Sequence, residues 1–324
     1  MSDLKLRRPR ILPYFRHALS AVVWNLKSLL MFNTALKQRV AGKVVLITGA
    51  SSGIGELAAY RLAASGATVL LVARSEEKLK GMVTEIVSKG GKAFAYAADL
   101  SDLESCDRVC QQALVDHGQV DILINNAGRS IRRSVKFSLD RFHDYQRTMQ
   151  LNYFASVRMA LNILPGMLAR NEGHIINVST LGVQTCPARF SAYLGSKWAL
   201  EGWSWVTANE LAHTNIRVST INYPLVRTPM IAPSSVYRHM PWKLSPETAV
   251  RWMMGVIITR NKRKVDAAGV FGLLMYYLLP RTTENFMNVT YQMIREEPPE
   301  SYQRIKDTAR QQARVNAEAI SAKQ

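Results

Sequence analysis

Short apolar runs alternate with amphipathic stretches through most of this chain, and the two patterns predict its elements. Lys43–Thr48 is the first apolar, β-branched run; it ends at a glycine-rich turn, after which residues 54–65 read as a helix that stops at Gly66. A strand follows over Thr68–Ala73, then a helix near 76–88, a strand at 92–97, a helix at 102–117 and a strand at 121–125. The pattern continues with a long helix within 138–169, a strand at 174–178, a helix at 191–213 and a strand at 216–222. Runs such as Ile175–Val178 suit strands buried on both faces. Strands separated by helices of this length predict an α/β fold, a doubly wound parallel sheet with right-handed crossovers. The expected organisation is one such domain over 41–265, with helical extensions at 1–40 and 266–324.

In the N-terminal extension the apolar residues fall at 15, 19, 22, 23, 26, 29 and 30, a helical period with Arg16, Ser20, Lys27 and Ser28 elsewhere on the wheel. A membrane span needs about 20 mostly apolar residues, and His17, Asn25 and Lys27 interrupt this one. A removable signal peptide fits poorly, because the apolar part is broken and no small-residue cleavage site follows. Two readings stand: a basic amphipathic helix lying in a membrane interface, or a helix packed on its own domain or on a second subunit. At the other end, 267–279 is an apolar segment too short to span a bilayer; it reads as the lining of an apolar channel, a buried helix or a dimer interface.

Composition adds a globular class and a reducing compartment. Hydrophobic residues make up 48%, with only 12 Pro and 18 Gly in 324 residues, so a sizeable core can be buried. Cys106, Cys110 and Cys186 match no metal-ligand spacing, and their odd number points to the cytoplasm. The net charge of +18 is uneven, since residues 1–43 hold nine Lys/Arg against Asp3 alone. Such a field favours acidic partners: nucleic acid, an anionic membrane surface or a polyphosphorylated small molecule. Nucleic acid is disfavoured, because the basic end carries bulky aliphatics at helical spacing and no reading motif.

The first strand-to-helix turn holds the chemistry. In Thr48–Gly55 the residues Gly49, Gly53 and Gly55, with Ser51, Ser52 and Ile54 between them, let backbone approach a pyrophosphate at a helix N-terminus, or else serve only a tight turn. The second strand ends with Arg74 and no carboxylate at 72–75, which favours the 2′-phosphate of NADP(H) over the free ribose of NAD(H). Further on, Tyr193 and Lys197 stand one helical turn apart. A phenol with an ordinary pKa of about 10 needs a nearby cation to work as a proton shuttle near neutrality, and Lys197 is placed to bring it toward about 7 together with the charge of an oxidised nicotinamide.

Taken together, residues 41–265 resemble the short-chain dehydrogenase/reductase family, with its Rossmann-type sheet. The resemblance rests on Thr48–Gly55, Asp99–Leu100, Asn125–Gly128, Asn152 and Tyr193–Lys197, in the family's order. It implies that Asp99 and Leu100 lie at the adenine and that Asn125, Asn126, Ala127 and Gly128 line the cofactor channel. By the same resemblance, Pro224, Val226 and Thr228 cover the nicotinamide and Lys197 holds its ribose. Asn152 would position a water, and Tyr193 would donate the proton. The family's serine thirteen residues before the tyrosine is replaced by Thr180, whose hydroxyl can serve the same oxyanion; Ser179 is the substitute candidate. The family's Pro-Gly after the sixth strand is Pro224-Leu225 here, which stiffens that loop.

Several stretches around this site, Asn126–Ser134, Arg141–Phe154, Arg189–Tyr193 and Pro224–Pro233, are similar to bacterial fatty acyl-CoA reductases of the aldehyde-forming kind. That similarity fades before residue 40 and after about 280. It implies an acyl-CoA or other lipid-like substrate, NADP(H), and a homodimer or homotetramer through the helices at 138–169 and 191–213. Arg129, Arg132 and Arg133, with Lys136, are candidate phosphate contacts, as is the Arg260–Lys264 cluster; in both places structural or solvated charges are the alternative. Cys186 is a candidate for an acyl-cysteine route. The main competing substrate is a ketone or secondary alcohol, 3-oxoacyl, lipid or steroid. A cofactor-binding regulatory or adaptor protein is a further reading, against which the intact Tyr193, Lys197 and Asn152 argue.

Overall fold

The structure, a computed structural model, describes residues 31–232, 235–238, 242–294 and 296–321. The expected amphipathic helix at 15–30 lies outside the described residues. Helix α1 occupies residues 31–40 and seats Leu36 and Val40 in the core. The chain then runs β1 (Val44–Thr48), α2 (Gly53–Ala64), β2 (Thr68–Ala73), α3 (Glu76–Ser88), β3 (Lys92–Ala97), α4 (Leu103–His117) and β4 (Ile122–Asn125). Next come α5 (Phe142–Met149), a π-helical turn at Gln150–Phe154, α6 (Ala155–Arg170), β5 (Gly173–Thr180), α7 (Gly182–Thr185), α8 (Ser191–Glu210) and β6 (Ile216–Tyr223). Beyond these are α9 (Ser235–Arg238), α10 (Pro246–Thr259), β7 (Arg263–Lys264), α11 (Ala267–Leu278), α12 (Pro280–Met293) and α13 (Glu300–Ser321).

All strand pairings are parallel, in the order β3-β2-β1-β4-β5-β6-β7. The sheet is the expected doubly wound one, and its order reverses between β1 and β4. Successive strand residues face opposite layers: Val45 and Ile47 enter one core with Val69, Leu71 and Ile124, while Leu46 enters the other with Leu70, Val72 and Leu123. Burial on both sides is why the strands read as unbroken apolar runs.

Besides the single-turn helices α7 and α9, two elements of the sheet and its cover went unread in the sequence. Helix α10 has legible signals, Ser245 accepting the N–H of Thr248 as N-cap and Pro246 in the first turn. Strand β7 has none, being two cations that pair with Thr220 and Ile221. The apolar segment after it, read as channel lining, buried helix or dimer interface, forms helix α11, which packs on α7, where a Cβ on Gly269 would lie within 2.4 Å of Leu181 and one on Gly272 within 2.8 Å of Thr185, and which leaves Phe271, Leu274, Tyr277 and Leu278 exposed. Among the described residues no helix is long and apolar enough to cross a membrane.

Candidate active site

Where the strand order reverses, the carboxyl ends of β1 and β4 part and open a crevice. On its floor, Gly49 and Gly53 have φ of 65° and 61°, and a Cβ on Gly55 would sit 2.4 Å from the Gly49 carbonyl oxygen. Bare backbone therefore faces the N-terminus of α2, a ready anion site. Thr48 is buried beneath the crevice: its Oγ1 accepts the N–H groups of Asn126 and Ala127, both at 3.0 Å, and donates to Ile124 O. Asn126 Nδ2 returns to the carbonyls of Thr48 (3.0 Å) and Gly49 (3.2 Å). The two turns thus form one cradle, with Thr48 as its brace. Asn125 corrects an expectation, since it points into the protein, to Ser156 O and Asn177 Oδ1, and lines nothing.

The π-turn places buried Asn152 against the loop after β4. Its Oδ1 accepts the N–H of Arg129 (2.8 Å), and its Nδ2 donates to Arg129 O and Ser196 Oγ, both at 2.9 Å. Single π-turns are a frequent device at functional sites. Here the turn ties Arg129, at the crevice mouth, to α8.

Three successive residues at the end of β5 meet three successive turns of α8. Val178 O accepts Lys197 Nζ at 2.8 Å, Ser179 Oγ donates to Glu201 Oε1 at 2.7 Å, and the Thr180 hydroxyl is hydrogen-bonded to Tyr193. The Ser179 hydroxyl is committed to Glu201, so it does not stand in for Thr180. Glu201, which the sequence reading passed over although it stands four residues from Lys197, is buried and anchors a network: Asn222 Nδ2 also donates to it, and Arg263 donates to its Oε2 at 2.9 Å.

Of the two charges expected to lower Tyr193, Lys197 is the one the chain itself supplies. Burial pushes Tyr193 up to about 12, against the pull of the Thr180 hydroxyl, and pushes Lys197 down to about 8, against the buried Glu201 carboxylate. Desolvation of the phenolate is the largest influence on Tyr193, and the Lys197 Nζ is directed at Val178 O.

A cavity of about 450 Å³ collects most of the expected residues: Gly49, Ser52, Gly53, Ile54, Asn126, Ala127, Gly128, Thr180, Tyr193, Lys197, Pro224, Val226 and Thr228 line it, with Arg129 at one side. Leu181, Phe190, Leu194, Leu225, Met230, Ile231 and Tyr237 complete an apolar wall that sequence reasoning had not assembled. Thr48, Ser51, Gly55, Asn152 and buried Leu100 stand behind or below the lining, and exposed Arg74 and Asp99 lie where β2 and β3 end. Cys186 is exposed beside the cavity, its thiol pushed up by desolvation.

The cationic candidates separate. Arg132 sets its charge toward Tyr237, but Arg133 is paired with buried Asp144 (3.4 Å), which also holds Arg141 and Arg147. The Arg260–Lys264 cluster is structural as well. Arg260 caps the carbonyls of Gly173 and Asn215 at the amino end of the sheet, Lys262 reaches Asn209, Arg263 binds Glu201, and Lys264 lies over Trp252.

A doubly wound sheet whose glycine turn, π-turn asparagine and Tyr–Lys helix converge on one crevice defines a nucleotide-dependent oxidoreductase. The chain matches the short chain dehydrogenase family over residues 43–237. It belongs to the short-chain dehydrogenase/reductase family. A fatty acyl-CoA reductase of Acinetobacter baylyi is 46% identical over 79% of this chain and 87% of its own length. A fatty acyl-CoA reductase of Mycobacterium tuberculosis is 43% identical over 72% of this chain and 80% of its own. Among solved structures, a metagenomic short-chain oxidoreductase in complex with NADP superposes with a TM-score of 0.60 at 30% identity, covering 70% of this chain and 98% of that one. L-Sorbose reductase from Gluconobacter frateurii, complexed with NADPH and L-sorbose, gives 0.62 at 29%, covering 67% and 90%.

Proposed function

We propose that this protein reduces a long-chain fatty acyl-CoA thioester to the fatty aldehyde with NADPH, Tyr193 serving as proton donor. The observation that carries the reading is the cavity of about 450 Å³, in which the hydrogen-bonded Tyr193 and Thr180 hydroxyls share a lining with the apolar Leu181, Phe190, Leu194, Leu225, Met230 and Ile231. The names of the 46% and 43% identical relatives support the thioester.

The crevice fits a dinucleotide: Gly49, Ser52, Gly53 and Ile54 line it at the N-terminus of α2, with Gly49 and Gly53 in left-handed backbone, so that an anion there would meet backbone N–H groups. Gly49–Gly55 would hold the pyrophosphate, Arg74 the 2′-phosphate, Asp99 the adenine side, and Asn126–Gly128 with Pro224–Thr228 the nicotinamide. Held there, NADPH would supply the hydride that reduces the thioester carbonyl carbon. Tyr193 and Thr180 hydrogen-bond the carbonyl oxygen as it gains charge, and Tyr193 gives it a proton. The resulting hemithioacetal separates into aldehyde and thiol without a covalent bond to the enzyme. Lys197 holds the ribose and keeps a positive charge beside the phenol, and Asn152 positions the loop bearing Arg129. Cys186 takes no part, being outside the cavity with a raised pKa. Arg129 and Arg132 would meet the phosphates of coenzyme A.

Exposed Trp198, Trp205 and Val206 on α8, and Phe154, Leu161 and Leu168 on α6 and its π-turn, support a homodimer or homotetramer through these helices. A cytoplasmic enzyme that touches the membrane surface through its basic N-terminal segment fits a lipid-like substrate.

Incubation of the protein with NADPH and palmitoyl-CoA is expected to release free thiol and aldehyde in equal amounts. NADPH oxidation by ketones with no thiol released from acyl-CoA would instead establish the carbonyl-reductase reading. The pH profile carries a second expectation. Lys197, depressed to about 8, is charged below that value and neutral above it, whereas Tyr193 at about 12 stays protonated throughout. Reductive kcat/KM should therefore hold steady below pH 8 and fall as pH rises through it; a profile that climbs through that range would exclude a charged Lys197 from the reaction.

A further inference from the structure

The C-terminal segment reaches back and joins the two loops that wall the cavity, and Arg189 is the centre of the joint. Arg189 is buried, with a φ of 74°. Its Nε donates to Glu296 Oε2 at 2.9 Å, its Nη2 donates to the carbonyls of Tyr291 (2.9 Å) and Ile294, and its guanidinium lies 4.4 Å over the Tyr291 ring. The other Glu296 oxygen accepts the N–H of Ser134 at 3.1 Å, and Arg189 O accepts the N–H of Arg133 at 2.7 Å. Further along, Phe137 meets Tyr302 edge-on at 4.8 Å, and Asp140 is hydrogen-bonded to Ser301. These C-terminal partners all lie beyond residue 237, where the family match ends.

We propose that Glu296 is a positioning residue for the substrate. By holding Arg189 it fixes the segment 181–190, which contributes Leu181, Thr185, Pro187 and Phe190 to the apolar wall, against the loop that carries Arg129 at the mouth. A left-handed arginine is costly, and it persists only where surrounding bonds over-determine it. Without the carboxylate a buried guanidinium is uncompensated. The loop then relieves it by turning Arg189 toward water, which carries the adjacent Phe190 out of the wall. The substrate part of this proposal rests on the acyl-CoA reading; the joining of the loops does not.

The test compares Glu296→Ala, Glu296→Asp and Arg189→Lys with the wild-type protein. In Glu296→Ala, kcat/KM for palmitoyl-CoA should fall by on the order of 100-fold, mainly through KM, while NADPH affinity is unchanged because Glu296 touches nothing at the glycine turn. Glu296→Asp, which keeps the carboxylate, should recover part of the KM. Amide hydrogen exchange should rise in 133–138 and 181–190 but not in β1 or β2, and Arg189→Lys gives the same local reading should the alanine variant fail to fold. Unchanged loop exchange, exchange raised evenly over the sheet, or KM and NADPH affinity lost together would each overturn the proposal. If wild-type protein turns over no acyl-CoA, it is the substrate reading that fails, and hydrogen exchange still decides the role of Glu296 in the loops.

Discussion

Tyr193→Phe is expected to lower turnover by roughly 10²- to 10⁴-fold, the usual weight of a general acid, while NADPH binds as before. The hydroxyl is irreplaceable by its neighbours for reasons of geometry. Thr180 would share the carbonyl oxygen on the proposed reading, but its Oγ1 also accepts the N–H of Gly182 at 3.1 Å, and an alcohol is too weak an acid to hand over its proton. Lys197 has protons to give, yet its Nζ is directed at Val178 O, on the strand rather than toward the carbonyl. Removing one oxygen leaves ring packing against Phe190 in place, at 6.3 Å between centroids, so the fold should be undisturbed. Steady-state rates beside NADPH fluorescence titration separate chemistry from binding. Turnover within tenfold of wild type would remove Tyr193 from the proton-transfer role.

The second large effect is on the cofactor. In Gly55→Ala the new methyl would stand 2.4 Å from Gly49 O and 2.6 Å from Asn126 Nδ2. Neither neighbour can yield, because the first is backbone in a left-handed turn and the second is held by two carbonyls. Overpacking of this sort costs about 1–3 kcal/mol of fold stability; where the turn shifts to relieve it, NADPH affinity should fall by up to roughly 5- to 150-fold. Gly81→Ala is the control. That helical glycine has nothing within 4 Å of its missing Cβ, so alanine should leave NADPH binding intact and raise thermal stability slightly. Equal NADPH affinity in both variants would show that the glycine turn does not carry the cofactor.

The alternation of apolar runs and amphipathic helices was enough to place β1 to β6 within two residues; the inner strands read as apolar runs because both their faces are covered, while the exposed edge strand β3 was found by its place in the alternation. Gly49, Gly53 and Gly55, Tyr193 and Lys197 were equally legible, since backbone approach and one-turn spacing are local properties. Strand β7 was not, because two cations make a strand only where β6 offers an edge.

The roles of like residues lay further out of reach. Asn125 and Asn126 are neighbours in the chain, yet strand alternation turns one into the core and the other over the cradle. Ser179 and Thr180 part in the same way, toward Glu201 and Tyr193. Arg129 and Arg133 look interchangeable in sequence until Asp144 claims the second. By itself, then, the sequence determined the sheet, the cofactor turn and the Tyr–Lys pair, all set by periodicities and spacings of a few residues. Only the tertiary structure decided which hydroxyl meets Tyr193, how far burial moves Tyr193 and Lys197 apart in pKa, and that Arg189 meets Glu296, because contacts across 100 residues and the desolvation they impose leave no mark on local pattern.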